Sequence, residues 1–216
     1  MRKILVGVPI LNSNHWVEQA LKAVAPQCDE LLVIDNGATP QAKALIKPYN
    51  KIVNERNIYV NPAWNQIMKY YLESSHDYLV ILNSDLILGK NAIDRIRRVN
   101  LDEEKVNILA HQVDNFSTVP TDETILLNDG QPGIMIVMNR TMCELVYPIP
   151  PDLRLWYGDN WVYCKLQKAG YKFVIYTAIE AKHGLSKSVN WLPDSERGAI
   201  IDSDKANWET KYRFMI

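Results

Sequence analysis

The sequence predicts an α/β protein built around a mostly parallel central sheet with helices on both faces. Three observations carry this. Short, continuous apolar runs such as Ile4–Val8, Leu31–Ile34 and Tyr78–Leu82 suit strands buried on both faces. Helical stripes separate those runs, the alternation that produces parallel strands. Polar residues sit where the strands end, the edge at which such sheets bind ligands.

The elements follow in order. Pro9 closes the first strand. Asn14 can cap a helix whose inward face is Val17, Ala20, Leu21 and Val24, with Pro26 near its end. The strand Leu31–Ile34 runs into the turn sequence Asp35-Asn36-Gly37. Lys51–Asn54 reads as a short third strand. After Pro62, Trp64, Ile67, Met68, Tyr71 and Leu72 form one helical stripe. Tyr78–Leu82 is a strong strand with Asn83-Ser84-Asp85 at its carboxyl end. A short helix from Asn91 turns Ile93 and Ile96 inward, and Arg95, Arg97 and Arg98 mostly outward.

The second half is less regular. Val106–Ala110 and Gly133–Met138 read as strands, and 114–132 as loop. A helix from about Asp159 stops at Gly170, and Lys172–Tyr176 is a further strand. From Leu185 the chain turns polar, with a surface helix expected near Asp204–Arg213. The expected organisation is one domain over 1–216. Residues 1–105 form the ligand-binding half, 106–184 the second half, and 185–216 a C-terminal extension.

Composition narrows the function. The 216 residues suffice for a core without disulfides or metal, at roughly 70% of the surface buried. Lys and Arg total 24 against 25 Asp and Glu, a net charge of −1, which argues against bulk attraction to nucleic acid or anionic membrane. Cys28, Cys143 and Cys164 are odd in number and lack metal-ligand spacing, which fits a reducing cytoplasm. No apolar run is long enough to span a bilayer, and Ile4-Leu5-Val6 is too short for a signal peptide. The dinucleotide fingerprint, the phosphate loop of nucleotide hydrolases, the nucleophile elbow and the Cys–His signature are all missing.

Asn12, Asp35 with Asn36, and Asn83 with Asp85 fall at or just beyond separate strand ends. Each alone is ordinary turn chemistry. Together on one parallel edge they predict a binding site. Asp85 is the sharpest candidate, an oxygen ligand for a hard divalent cation bridging phosphate oxygens. Asp159 can cap the helix after it, or stand at the mouth of a site and take a proton from a hydroxyl. His183 is a structural histidine or, if it reaches the cation, a ligand favouring manganese over magnesium.

In order, these segments resemble glycosyltransferase family 2, the GT-A type of nucleotide-sugar transferase with a Rossmann-like domain. Ile4-Leu5-Val6-Gly7-Val8-Pro9 looks like the family's first strand. Leu32–Thr39 is similar to its Val-Val-Asp-Asn-Gly-Ser-Thr segment, and Asn57–Asn65 to its Asn-x-Gly-x-x-x-Ala-x-Asn stretch. Leu82-Asn83-Ser84-Asp85 stands in place of Asp-x-Asp. Leu155–Asp159 with Leu166–Tyr171 resembles the Glu-Asp motif and the helix end after it, and His183 matches a histidine found after the next strand. The resemblance covers about 3–184. Four positions depart from it: Asn83 replaces the first acid, Gly158 the Glu, Tyr59 a glycine, and Trp64 a frequent Arg.

The resemblance implies an inverting transfer from a nucleotide diphosphate sugar, UDP-sugar by family frequency, to an acceptor hydroxyl. Pro9, Leu11, Asp35, Asn36, Asn65, Asn83, Ser84 and Asp85 would hold the donor. Asp85 and His183 would hold Mn²⁺ or Mg²⁺, and Asp159 would be the general base. Trp156, Tyr157 and Gly158 would face the acceptor: a saccharide, a small molecule, a protein side chain or a modified nucleobase in DNA. For DNA, Lys182, Lys187, Lys205, Lys211 and Arg213 would form a basic strip. A short stand-alone member of this type is expected in the cytoplasm, or in a host's cytoplasm if of phage origin. The competing readings are an inert nucleotide-sugar-binding module and a nucleotidyltransferase. The latter would normally carry a Gly-rich basic loop where this chain has Leu11-Asn12-Ser13-Asn14.

Overall fold

The computed structural model describes residues 1–12, 15–127, 134–184 and 192–213. Asn14, Gly133 and Lys187 lie outside these residues, and so does the helix cap expected of Asn14.

The central sheet has the order β3-β2-β1-β4-β8, from β1 (Ile4–Ile10), β2 (Glu30–Asn36), β3 (Asn50–Asn54), β4 (Tyr78–Leu82) and β8 (Met135–Asn139). The first four are mutually parallel, and β8 runs antiparallel to β4. Every residue of β4 is buried, as its unbroken apolar run requires. Helix α1 (His15–Val24) buries Val17, Ala20, Leu21 and Val24, the face read from its periodicity. Helix α2 (Pro40–Leu45) is capped by the Thr39 hydroxyl.

Helix α3 (Val60–Glu73) begins two residues before Pro62, which sits in the first turn, where a missing N–H costs no bond. A Cβ on Gly7 would strike the Ile67 side chain, 2.9 Å from its Cδ1, so the glycine lets α3 lie close on β1. Then come β5 (Leu86–Leu88), α4 (Ala92–Arg98), α5 (Leu101–Glu104), β6 (Val106–Gln112), β7 (Thr124–Leu127), α6 (Arg140–Val146) and α7 (Gly158–Lys168). Last are β9 (Lys172–His183) and α8 (Asp194–Asn207), which runs into a π-helical turn at Trp208–Tyr212.

A second sheet is centred on β9, which pairs parallel with β6 on one side. On its other side β7 lies opposite Phe173–Tyr176 and β5 opposite Ala181–His183, both antiparallel. Register shifts between Ala110 and His111, whose partners are Tyr176 and Glu180. Apolar side chains of both sheets join one buried cluster.

Three expectations need correction. The strand expected to stop at Tyr176 continues to His183, because the chain resumes pairing after the register shift. The expected loop 114–132 contains β7, whose Ile125 and Leu126 stay exposed at the sheet edge. The last helix starts ten residues early, at Asp194, and buries Asp204 completely.

Candidate active site

A cavity of about 320 Å³ lies beyond the carboxyl ends of β1, β2 and β4. Pro9, Ile10 and Leu11 come to it from β1, Asn36 from β2, and Asn83, Ser84 and Asp85 from the turn after β4. Asn57, Tyr59, Asn61 and Trp64 come from the entry and first turns of α3. Leu155, Trp156, Gly158 and Asp159 precede and open α7, and His183 ends β9.

The Asp85–His183 pair is built by the backbone. Leu86 and His183 are register partners, and the Gly184 N–H donates to the Asp85 carbonyl at 2.9 Å. That brings His183 Nε2 to 3.3 Å from Asp85 Oδ1, with the Asp85 side chain 1% exposed. The contact falls within ion-pair distance without hydrogen-bond geometry, and Nε2 is buried with no hydrogen-bond partner among the described residues. A carboxylate oxygen and an unpartnered imidazole nitrogen on one wall fit a cation such as Mn²⁺. Among the described residues no third His, Cys, Asp or Glu joins them, so the remaining positions would fall to water and ligand oxygens.

Asn36 organises the approach to α3. Its Nδ2 donates to Asn57 Oδ1 at 3.0 Å and to the Tyr59 carbonyl at 3.2 Å, and its Oδ1 accepts from Ile58 N at 3.0 Å. Asn57 Oδ1 also accepts from Tyr59 N at 2.8 Å. This network holds Tyr59 at φ 69° and ψ 177°, a region that is essentially glycine's own. The Tyr59 hydroxyl donates to Glu196 at 3.0 Å, and Arg154 lies over its ring at 5.6 Å. Burial and then Glu196 raise the Tyr59 pKa.

Two expected donor contacts do not line the cavity. Asp35 is 3% exposed and its Oδ1 accepts from Ala38 N at 2.8 Å, which closes the turn at Gly37 (φ 71°). Asn65 clasps Ile149, donating to its carbonyl and accepting from its N–H, each at 2.8 Å. It ties α3 to the segment before α7. Asn12 is 1% exposed, with neither amide atom partnered among the described residues. Trp64 is 4% exposed and lines the cavity, and its Nε1 is buried with no partner among the described residues.

The wall at 153–159 is held from two sides. Asn61 Nδ2 donates to the carbonyls of Leu153 at 3.1 Å and Trp156 at 3.0 Å, and Asn61 N to that of Arg154 at 3.0 Å. From the other side, Asp204 Oδ2 accepts the N–H groups of Arg154, Leu155 and Trp156. Asp152 accepts from Lys211 at 2.8 Å and from the Tyr212 hydroxyl at 2.6 Å. Burial raises the Asp152 carboxyl, but those two bonds outweigh it and leave the pKa below its ordinary value.

Trp156 remains 46% exposed at the cavity. Tyr157 turns away from it and stacks on Trp208, ring centroids 5.7 Å apart. Asp159 is the second residue of α7 and not its cap, because Gly158 already has helical geometry; its Oδ1 accepts from Asn160 N at 3.0 Å. Of the basic strip, Lys182 packs over Phe116 at 4.8 Å and Lys211 pairs with Asp152.

Sequence reasoning missed Asn61 and Asp204. Asn61 lies inside the Asn57–Asn65 stretch, where only the motif positions stood out. Asp204 reads as one more charge on a polar helix.

The cavity carries Asp85, Asp159 and His183 but, among the described residues, no Lys or Arg. No helix among the described residues is long and apolar enough to cross a membrane.

The model of glycosyl transferase family 2 matches residues 5–142. Among solved structures, GalNAc-T7 with UDP, GalNAc and Mn²⁺ superposes with a TM-score of 0.65 at 11% identity, covering 97% of this chain and 49% of that one. The S. aureus TarS 1–349 complex with UDP gives 0.64 at 15% identity, covering 98% and 73%. A further S. aureus TarS structure gives 0.62 at 15% identity, covering 98% and 44%. This chain thus spans about half the length of the GalNAc-T7 chain. No curated protein sequence matches it. The shared fold is the GT-A fold. A match over most of the chain, including the segments that bring Asn36, Asn83 and Asp85 to the cavity, places the protein in glycosyl transferase family 2.

Proposed function

We propose that this protein is an inverting glycosyltransferase that moves a sugar from a UDP-sugar to an acceptor hydroxyl, with a divalent cation at Asp85 and His183. The observation that carries the reading is the buried, unpartnered His183 Nε2 beside Asp85, in a cavity that also holds Asp159 and no basic side chain among its described residues. A diphosphate there needs a positive partner, and these two residues are the ones able to hold it. The UDP and Mn²⁺ in the GalNAc-T7 structure and the UDP in TarS support the same donor and cation.

The cation, when bound, would neutralise charge on the leaving diphosphate. Asp85 and His183 would fix its place through one oxygen and one nitrogen. The Trp64 indole N–H would donate to an oxygen of the donor, which removes its buried, unmet bond. Asp159 would take the proton of the acceptor hydroxyl as that oxygen attacks the anomeric carbon. The carbon–oxygen bond to the diphosphate breaks, and its electron pair leaves with the nucleotide. The exposed Trp156 ring offers a flat apolar face of the kind that sugar rings pack against, which favours a saccharide acceptor.

The test is a thermal-shift panel of UDP-sugars with and without Mn²⁺. A ligand at 100 times its Kd stabilises the native state by about 2.7 kcal/mol. A Mn²⁺-dependent shift with a UDP-sugar, followed by release of UDP, is the expected result. A shift without UDP release would make the protein a binding module, and no shift with any UDP-sugar would remove the donor.

A further inference from the structure

The C-terminal helix buries a carboxylate that the proposed chemistry does not use. Asp204, on α8, is fully buried. A single oxygen, Oδ2, accepts from three consecutive backbone N–H groups: Arg154 at 3.0 Å, Leu155 at 2.7 Å and Trp156 at 2.9 Å. Hydrogen bonds to an ionised acceptor are roughly twice as strong as neutral ones. Three converging on one atom fix position and orientation together.

The residues so held are the approach to Asp159. Trp156 is the exposed ring at the cavity, Tyr157 takes a left-handed conformation at φ 62°, and Gly158 opens the helix that presents Asp159. Trp208, one helical turn after Asp204, stacks on Tyr157. Asn61 grips the carbonyls of the same loop while Asp204 grips its amides. The loop therefore cannot shift along its own axis without breaking bonds on both sides.

We propose that Asp204 is a positioning residue for the acceptor side of the site: it sets where Trp156 and Asp159 stand relative to the bound donor, and it contributes nothing to holding the donor. This rests on Asp159 as the base. It predicts a split in which the rate of sugar transfer depends on Asp204 and the affinity for nucleotide does not.

The experiment compares Asp204→Ala and Asp204→Asn with the wild-type chain. It measures UDP affinity in the presence of Mn²⁺, and kcat and KM for Mn²⁺-dependent hydrolysis of the UDP-sugar giving the largest thermal shift, with water as acceptor. Amide exchange over 154–160 is followed in parallel. The alanine variant should lose exchange protection at 154–156 and lower kcat at least tenfold, with KM and UDP affinity within threefold of wild type. Asparagine leaves an oxygen in the same place but makes neutral bonds. It should keep the fold and lower kcat by three- to tenfold, again with KM unmoved, and it carries the test if the alanine chain does not fold. A wild-type kcat in either folded variant overturns the inference alone, as does a loss of UDP affinity in step with kcat. A wild-type chain that turns over no UDP-sugar overturns the reading beneath it, and this inference with it.

Discussion

The carboxamide of Asn61 occupies the space that a side chain at position 158 would need. A Cβ built on Gly158 falls 2.5 Å from Asn61 Cγ and 2.9 Å from its Nδ2. The resemblance implies a glutamate at this position, and in this protein Asn61 leaves no room for its side chain. Asn61 also donates to both carbonyls that bracket the loop before α7. Gly158→Ala should therefore destabilise the protein by about 1–3 kcal/mol through overpacking. Combined with Asn61→Ala, its cost should shrink, with a coupling of about 0.5–3 kcal/mol in a double-mutant cycle. Denaturant unfolding of the four chains measures it, and simple additivity would show that the two sites do not compete for space.

Asp85 and His183 are expected to act on the cation and not on the nucleotide directly. Asp85→Asn should remove the gain in UDP affinity that Mn²⁺ brings, and leave metal-free UDP binding where it was. His183→Ala should weaken Mn²⁺ more than Mg²⁺, because imidazole nitrogen suits the softer ion. Calorimetric titration with each ion decides this. Equal losses for both ions would place His183 outside the coordination sphere.

Trp64 has an indole N–H with no partner among the described residues. Trp64→Phe keeps a ring and deletes that donor. If the N–H meets an oxygen of the donor, affinity for the UDP-sugar should fall by about 0.5–1.5 kcal/mol, roughly two- to twelvefold. The melting temperature of the free protein should hold or rise, since an unmet buried donor is no longer paid for. Unchanged affinity would return Trp64 to plain packing.

Asp159 stands in the first turn of α7, close to the positive end of the helix dipole. Asp159→Asn should cost at most about 0.3–1 kcal/mol of stability from the lost charge. It should slow transfer by roughly 10²–10⁴-fold, with donor and Mn²⁺ binding preserved. Turnover and melting curves on the same preparation separate the two effects. A variant as fast as wild type would leave the reaction without its base.

The strand-end wall of the cavity was legible because its physics is local. Strands buried on both faces read as unbroken apolar runs, and Val17, Ala20, Leu21 and Val24 lie at helical spacing. The turn residues Asn36, Asn83 and Asp85 reach the cavity because parallel strands end on one side. Spacing could not show that Asn65 spends both ends of its amide on Ile149, or that the Asp35 Oδ1 is taken by Ala38 N. The wall at 153–159 depends on contacts between residues far apart in sequence, such as Asp204 with Trp156, which periodicity cannot register. A buried carboxylate held through one oxygen by backbone N–H groups looks in sequence like a solvated one. The strand β7 was missed because one face packs nothing, so its apolar residues show no alternation with a core.

The shift in β9 has a consequence for how the site varies. Between the partners of Ala110 and His111, β6 advances by one residue while β9 advances by four. The segment Thr177–Ile179 is this surplus, and it does not line the cavity. Its length nevertheless sets the phase in which β9 meets β5. Side chains alternate along a strand, so losing or gaining one residue there would turn the imidazole to the opposite face and move it by about 3.3 Å. Whether the His183 imidazole faces Asp85 is thus written partly as a length, in a stretch whose own side chains do not line the cavity.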